Sequence, residues 1–184
     1  MQGLDLRHHA AAEAVPLVDD LVAVYRQVYA DGGEFHSEDR YRRQLAAHMT
    51  RAGWTLVTAT VDGQLVGYIY GFPLPSETGW WAGIEQPTPT GFTEETGRRT
   101  FAVSELLVLP QWRRRGVARA LHDQLLSRRA EDRATLLVDP ENAVARRAYD
   151  SWGWRHVTYL TPTWDDAPTF MVLVRQPSSA GRVT

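Results

Sequence analysis

The stretch from Ser104 to Ala118 constrains the chain most, because an apolar strand there passes through a short run of three arginines directly into a helix. The first backbone N–H groups of a helix have no internal partner, and the macrodipole places partial positive charge at that end. An anion entering the turn therefore meets ready donors. Gly116 and Ala118 leave room for phosphate oxygens to approach the backbone. Val117, Ala118, Leu121 and Leu125 form one apolar stripe on the following helix, which buries that side and leaves Arg114, Arg115 and Arg119 near its open end. The turn points to a phosphate-bearing ligand.

Composition narrows what that ligand can be. All 20 basic side chains are arginine, which excludes a Schiff-base lysine and the lysine-containing Walker loop, so the phosphate site works by backbone amides and guanidinium. A net charge of −2 and a pI near 6.3 argue against a nucleic-acid module. The chain lacks cysteine, which removes disulfides, thiolate nucleophiles and zinc–cysteine sites and makes a cytoplasmic location the default. No metal is expected, since His36, His122 and the His8-His9 pair show no ligand spacing. No Gly-x-Ser-x-Gly elbow supports a serine hydrolase. No apolar run reaches membrane-spanning length, and Met1 to His9 lacks the halves of a signal peptide, so neither a membrane partner nor processing is expected.

At 184 residues and 43% hydrophobic content, the chain reads as one domain over residues 1–175 with a flexible tail at 176–184. The patterning predicts a short strand at Leu4 to His8 and a helix from about Pro16 to Tyr29, with Leu17, Leu21, Val24 and Val28 inward and Asp31-Gly32-Gly33 ending it. A second helix follows, N-capped by Ser37, with Arg40 where a capping box would prefer Glu or Gln. Trp54 to Val61 and Gln64 to Phe72 read as strands joined by the hairpin turn Asp62-Gly63. The long segment from Pro73 to Thr100 carries four prolines together with Trp80, Trp81 and Phe92; loops of this length are more often functional than accidental. Beyond it come a strand from Phe101 to Leu109, a helix from about Arg115 to Ala130, and a strand from Ala134 to Asp139. A helix from Ala143 to Trp152 follows, capped by Asn142 and closed by Gly153, and strands near Trp154 to Tyr159 and Thr169 to Val174 complete the order.

Two segments together resemble a known family. Arg113-Arg114-Arg115-Gly116-Val117-Ala118 matches the Gln/Arg-x-x-Gly-x-Gly/Ala signature of the GNAT superfamily of N-acetyltransferases. Leu106, Val108 and Pro110 stand just upstream as the family's strand end, and the segment from Asn142 to Trp154 is its second familiar stretch. The resemblance covers about Phe101 to Val157. It implies an α/β (α+β) fold, a mixed, mostly antiparallel central sheet of about six to seven strands flanked by about four helices. It also implies an enzyme that passes the acetyl group of acetyl-CoA to a primary amine by direct attack through a tetrahedral intermediate. A small-molecule amine and a peptide N-terminus are both open as acceptors, and because family members often dimerise, so is a homodimer.

Such a transfer needs a held donor, a deprotonated nucleophile, a stabilised oxyanion and a proton for the leaving thiolate. By the resemblance, amides over Arg113, Arg114, Arg115, Gly116, Val117, Ala118 and Arg119 would cradle the pyrophosphate. The backbone of Leu106, Leu107 and Val108 would pair with the pantetheine arm where this strand splays from its neighbour. Asn142 and Tyr149 are seven residues apart, near two helical turns, so both project from one side of a helix. Tyr149 would protonate the departing sulfur and Asn142 would bond near the pantetheine; otherwise Tyr149 packs with Ala145, Ala148 and Trp152 and Asn142 only caps. Glu105 is the one acid on the central strand and the candidate base, unless it is a structural carboxylate bonding backbone or an arginine. Trp80, Trp81, Phe92 and Trp164, with Asp165 and Asp166, either line an acceptor pocket or clasp loops. A coenzyme A-binding sensor without turnover and a nucleic-acid binder are the rival readings.

Overall fold

Asp62 and Gly63 take φ values of 50° and 79°, the pair of positive values that a tight hairpin turn with the right strand twist requires. They join β2 (Thr55–Val61) to β3 (Gln64–Pro73), paired antiparallel from Val61↔Gln64 to Thr55↔Gly71 with a bulge at Ala59/Thr60. The structure, a computed structural model, describes residues 3–30, 33–164 and 166–176. Asp31, Gly32, Asp165 and the expected tail from 177 lie outside the described residues.

The seven strands run in the order β1-β2-β3-β4-β5-β7-β6, with β1 (Leu4–Ala10), β4 (Thr100–Val108), β5 (Arg133–Val138), β6 (Arg155–Leu160) and β7 (Phe170–Arg175). The β4/β5 ladder is parallel and pairs Thr100↔Arg133 to Ala102↔Thr135 among the described residues. The fold is the expected α/β arrangement. Contacts divide the chain into two units, each discontinuous in sequence: Met1–Phe72 with Val103–Arg129, and Pro73–Ala102 with Ala130–Thr184.

In the first unit a short helix α1 (Ala11–Ala14) and a 3-10 turn precede α2 (Val18–Val28). The face of α2 that is buried differs from the predicted stripe: Leu21, Val22, Val24 and Tyr25 are inside, while Leu17 and Val28 are only partly covered. The shift follows from Tyr25, whose ring stacks on Tyr41 of α3 (Glu38–Met49) at 3.8 Å. Ser37 does stand at the N-cap of α3, but by backbone alone, since its side chain makes no cap bond. Tyr41 Oη meets Tyr68 Oη of β3 at 2.6 Å, which locks the helical pair to the sheet. α4 (Val117–Leu126) buries Val117, Leu121, His122 and Leu125 and starts two residues later than its sequence suggests.

In the second unit the segment 74–99 is irregular but well anchored. Arg133 of β5 and Glu95 form an ion pair at 3.0 Å with side-chain exposures of 10% and 0%. The arginine also donates to Thr100 Oγ1 and the Phe92 carbonyl, at 2.8 and 2.6 Å. Ile84 bridges to Leu160 on β6, and Thr161 N donates to the Gly83 carbonyl at 3.1 Å. Gly83 has φ +81°, and a Cβ there would fall 1.8 Å from the Thr161 carbonyl oxygen, so this approach requires glycine. α5 (Ala143–Ser151) ends at Gly153 with φ 86°, the left-handed closure that its sequence predicts.

Candidate active site

The turn into α4 is built by two positive-φ residues. Arg114 has φ 57°, and Gly116, the N-cap, has φ 80°. No atom lies within 4 Å of where a Gly116 Cβ would sit, so the conformation demands glycine and the space above it is open. The first helical bond is Ala120 N to the Gly116 carbonyl, at 3.0 Å, which leaves the Val117 and Ala118 amides ahead of the helical ladder. Arg113, Arg114 and Arg115 are exposed around them; Arg115 lies over the Trp112 ring at 5.0 Å, and Arg119 pairs with Asp123 at 2.5 Å. These residues suit an anionic group with several oxygens, held by amides and flanked by guanidinium.

On the strand leading to this turn, Glu105 is partly buried, and loss of water pushes its carboxyl up to about 8 from an ordinary 4.5. No arginine offsets that cost; the opposing contact is Gln44 Nε2 of α3, donating to Glu105 Oε1 at 3.5 Å. Around it the phenols of Tyr25, Tyr41, Tyr68 and Tyr70 are all held above their ordinary range, by burial first and then by charges that include Glu105. His48 Nδ1 lies 3.2 Å from both Tyr70 Oη and Ser104 Oγ, and burial takes its imidazole down to about 4, so it is neutral at pH 7. A carboxyl that ionises near pH 8 in a nest of neutral hydroxyls can take a proton from a bound ammonium.

A family model described as Acetyltransferase (GNAT) family matches residues 18–154. The chain belongs to that family. Members of the GNAT family use acetyl-CoA. Solved structures share the fold along nearly their whole length. An acetyltransferase of the GNAT family from Streptococcus agalactiae is 11% identical with a TM-score of 0.70, covering 96% of this chain and 97% of its own. The ribosomal-protein-S18-alanine N-acetyltransferase from Escherichia coli is 16% identical with a TM-score of 0.64, covering 98% of each chain. The paia N-acetyltransferase from Thermoplasma acidophilum, solved in complex with coenzyme A, is 11% identical with a TM-score of 0.57, covering 95% and 99%. No curated protein sequence matches the chain significantly.

Of the other expected GNAT site residues, Asn142, Tyr149, Trp80, Trp81, Phe92 and Trp164 fall in the second unit, and Leu106, Leu107 and Val108 in the first. Asn142 Oδ1 accepts from Ala145 N at 3.0 Å, so the side chain caps α5. Tyr149 is partly exposed, its ring edge-on to Trp152 and Trp154 at 5.6 and 5.9 Å. Trp81 and Phe92 are 5% and 7% exposed and lie beneath the Arg133 guanidinium, with Trp81 Nε1 donating to Glu95 at 3.0 Å. Their rings clasp the 74–99 segment. Trp80 is partly buried, and its backbone amide donates to Thr78 Oγ1. Trp164 is 47% exposed on the β6–β7 connection. Leu107 and Val108 are buried and Leu106 partly so, in the part of β4 that follows the residues paired with β5.

Gln44, His48, Tyr68, Tyr70 and Ser104 also belong to the cluster around Glu105, although no motif in the sequence singles them out. Tyr68 and Tyr70 stand two apart, on one face of β3, and Tyr41, Gln44 and His48 at helical spacing on α3. That coincidence of polar aromatics with an apolar period was the available signal. Among the described residues no group of three or more His, Asp or Glu is placed to hold a metal, and no helix is long and apolar enough to cross a membrane.

Proposed function

We propose that the chain is an N-acetyltransferase that moves the acetyl group of acetyl-CoA to a primary amine by direct attack. The observation that carries this reading is Glu105, whose carboxyl, raised to about 8 without a cationic partner, lies on the strand that enters the anion-binding turn. Bound acetyl-CoA supplies an activated thioester; the amides at Val117 and Ala118 and the Arg113–Arg115 guanidinium groups hold its phosphates. The backbone of Leu106, Leu107 and Val108 pairs with the pantetheine arm, and an amide there faces the thioester oxygen. Glu105 takes the proton of the incoming ammonium, directly or through a water, which frees the nitrogen lone pair for attack. As the C–N bond forms, the nitrogen releases its second proton to solvent, and as the C–S bond breaks, Tyr149 gives its phenolic proton to the sulfur and recovers one from solvent. Asn142 supports this arrangement chiefly as the cap that fixes α5.

The fit of a soluble amine or an exposed peptide N-terminus to Glu105 is the same chemistry at either size, a cation meeting one acid among uncharged hydroxyls. Trp81 and Phe92 hold the loop, leaving Trp164 as the exposed aromatic candidate on the acceptor side. The chain acts as one catalytic domain: both units are discontinuous in sequence, and the family match at residues 18–154 draws on both.

Calorimetric titration with acetyl-CoA tests the donor site, comparing the native chain with Gly116→Glu. Saturable binding by the native chain and its loss in the variant is the expected result. No binding by folded native protein would overturn the assignment. Thiol release with a panel of spermidine, phenethylamine and an alanine-terminated peptide then tests turnover, free of protein background because the chain has no cysteine.

A further inference from the structure

Glu105 extends from β4 on a flexible side chain, and a carboxylate that is to serve one bound amine needs a fixed rotamer. Among the described residues the hydrogen-bond partner it has is Gln44, 61 residues away in sequence on α3, at 3.5 Å. Gln44 also contacts the Tyr70 hydroxyl, and Tyr70 is in turn bonded to His48. His48 Nδ1 closes on Ser104 Oγ, next to Glu105 itself on β4. The amide is therefore tied at one side to the carboxylate and at the other to a buried polar cluster drawn from α3, β3 and β4.

We infer that Gln44 is a positioning residue for Glu105, orienting its carboxylate and stabilising the ionised form through the donated N–H. The inference rests on Glu105 being the base. Within its surroundings the carboxyl titrates alone near neutrality: Tyr25 from α2, Tyr41 from α3 and Tyr68 and Tyr70 from β3 are held above their ordinary range, and His48 from α3 is already neutral above about 4. Arg40 acts on Tyr25 without relieving Glu105. A hydrogen bond donated to a carboxylate favours its charged form, so its loss raises the proton affinity.

The experiment is a pH titration of the full chain labelled with 13C at the glutamate side-chain carboxyls, the Glu105 resonance being identified by its absence in Glu105→Gln. It uses native protein, Gln44→Met, which keeps length and packing, and Gln44→Leu as a second apolar variant, with circular dichroism to check folding. A midpoint near 8 in the native chain that moves up by about half a pH unit in both variants is expected. The acid limb of kcat/KM with whichever panel amine is turned over then moves by the same amount, a loss of about threefold at pH 7. An unchanged midpoint in the folded variants overturns the role of Gln44 and leaves Glu105 as base untouched. A native midpoint near the ordinary carboxylate range overturns both. A rate that Glu105→Gln leaves unaltered removes the base reading and, with it, any positioning role.

Discussion

Two carboxylates are set among aromatic rings in this chain, and they are opposites. Glu95 is surrounded by donors: Arg133 at 3.0 Å, Trp81 Nε1 at 3.0 Å and Thr100 Oγ1 at 2.7 Å all converge on its Oε1. Glu105 has one long contact from Gln44 and no cation to offset its burial. A buried charge with a cationic partner and neutral donors on one oxygen is held ionised and fixes the fold locally, even though Oε2 of Glu95 is buried without a hydrogen-bond partner among the described residues. An underpaired one raises the energy of its own ionised state and gains most when a cationic amine arrives. The contrast separates a residue kept for architecture from one available for chemistry.

The largest effect that sharpens this contrast is on rate. Glu105→Gln keeps the shape and the Gln44 contact while removing the base, and amine-dependent thiol release should fall by about 10²- to 10⁴-fold with folding intact. Retained activity at all pH values would erase the distinction. Glu95→Gln is the converse: it leaves Arg133 buried without its counter-charge, and unfolding in urea should report a loss of about 3–5 kcal/mol. Turnover by the fraction that remains folded should stay within a few-fold of native; a selective loss of turnover would assign Glu95 a chemical role.

Legibility in the sequence follows the range of the interactions involved. The β2–β3 turn at Asp62-Gly63 and the Asn142 cap and Gly153 closure of α5 are each decided within a few residues, and each stands where the sequence suggests. The buried face of α2 is not local: it turns to include Tyr25 because Tyr41, on another helix, offers a ring to stack upon. The fates of Trp81 and Phe92 depend on Arg133, on a strand about forty to fifty residues further along, and the setting of Glu105 depends on α3. Alternation along β4 identifies the face of Glu105 but carries no information about which helix covers it, so the acid was visible and its partner was not.

A smaller effect divides the Glu95 site further. Trp81→Phe removes one of its donors while keeping the ring beneath Arg133 and against Phe92, 5.2 Å away. A hydrogen bond to a charged group contributes about 1.5–3 kcal/mol, and urea unfolding should show a loss in that range. A negligible loss would mean that Arg133 and Thr100 satisfy Oε1 by themselves, and that Trp81 clasps the loop by its ring alone.

A graded effect, spread over several pH units, comes from Glu105. Its carboxyl, at about 8 in the fold against an ordinary 4.5, keeps a proton in the folded chain that the unfolded chain has already lost between those values. The folded state is the one binding more protons in that window, so stability falls as pH rises through it, by at most about 1.4 kcal/mol per pH unit. Glu105→Gln has no such proton, and the difference in midpoint denaturant between the two chains should be small near pH 4.5 and widen toward pH 8 in favour of the variant. Glu95→Gln should be the less stable chain throughout, because its penalty is an unpaired arginine that does not titrate there. If native protein and Glu105→Gln instead trace parallel curves from pH 4.5 to 8, Glu105 ionises in the fold as easily as in the open chain, and the two carboxylates are equivalent after all.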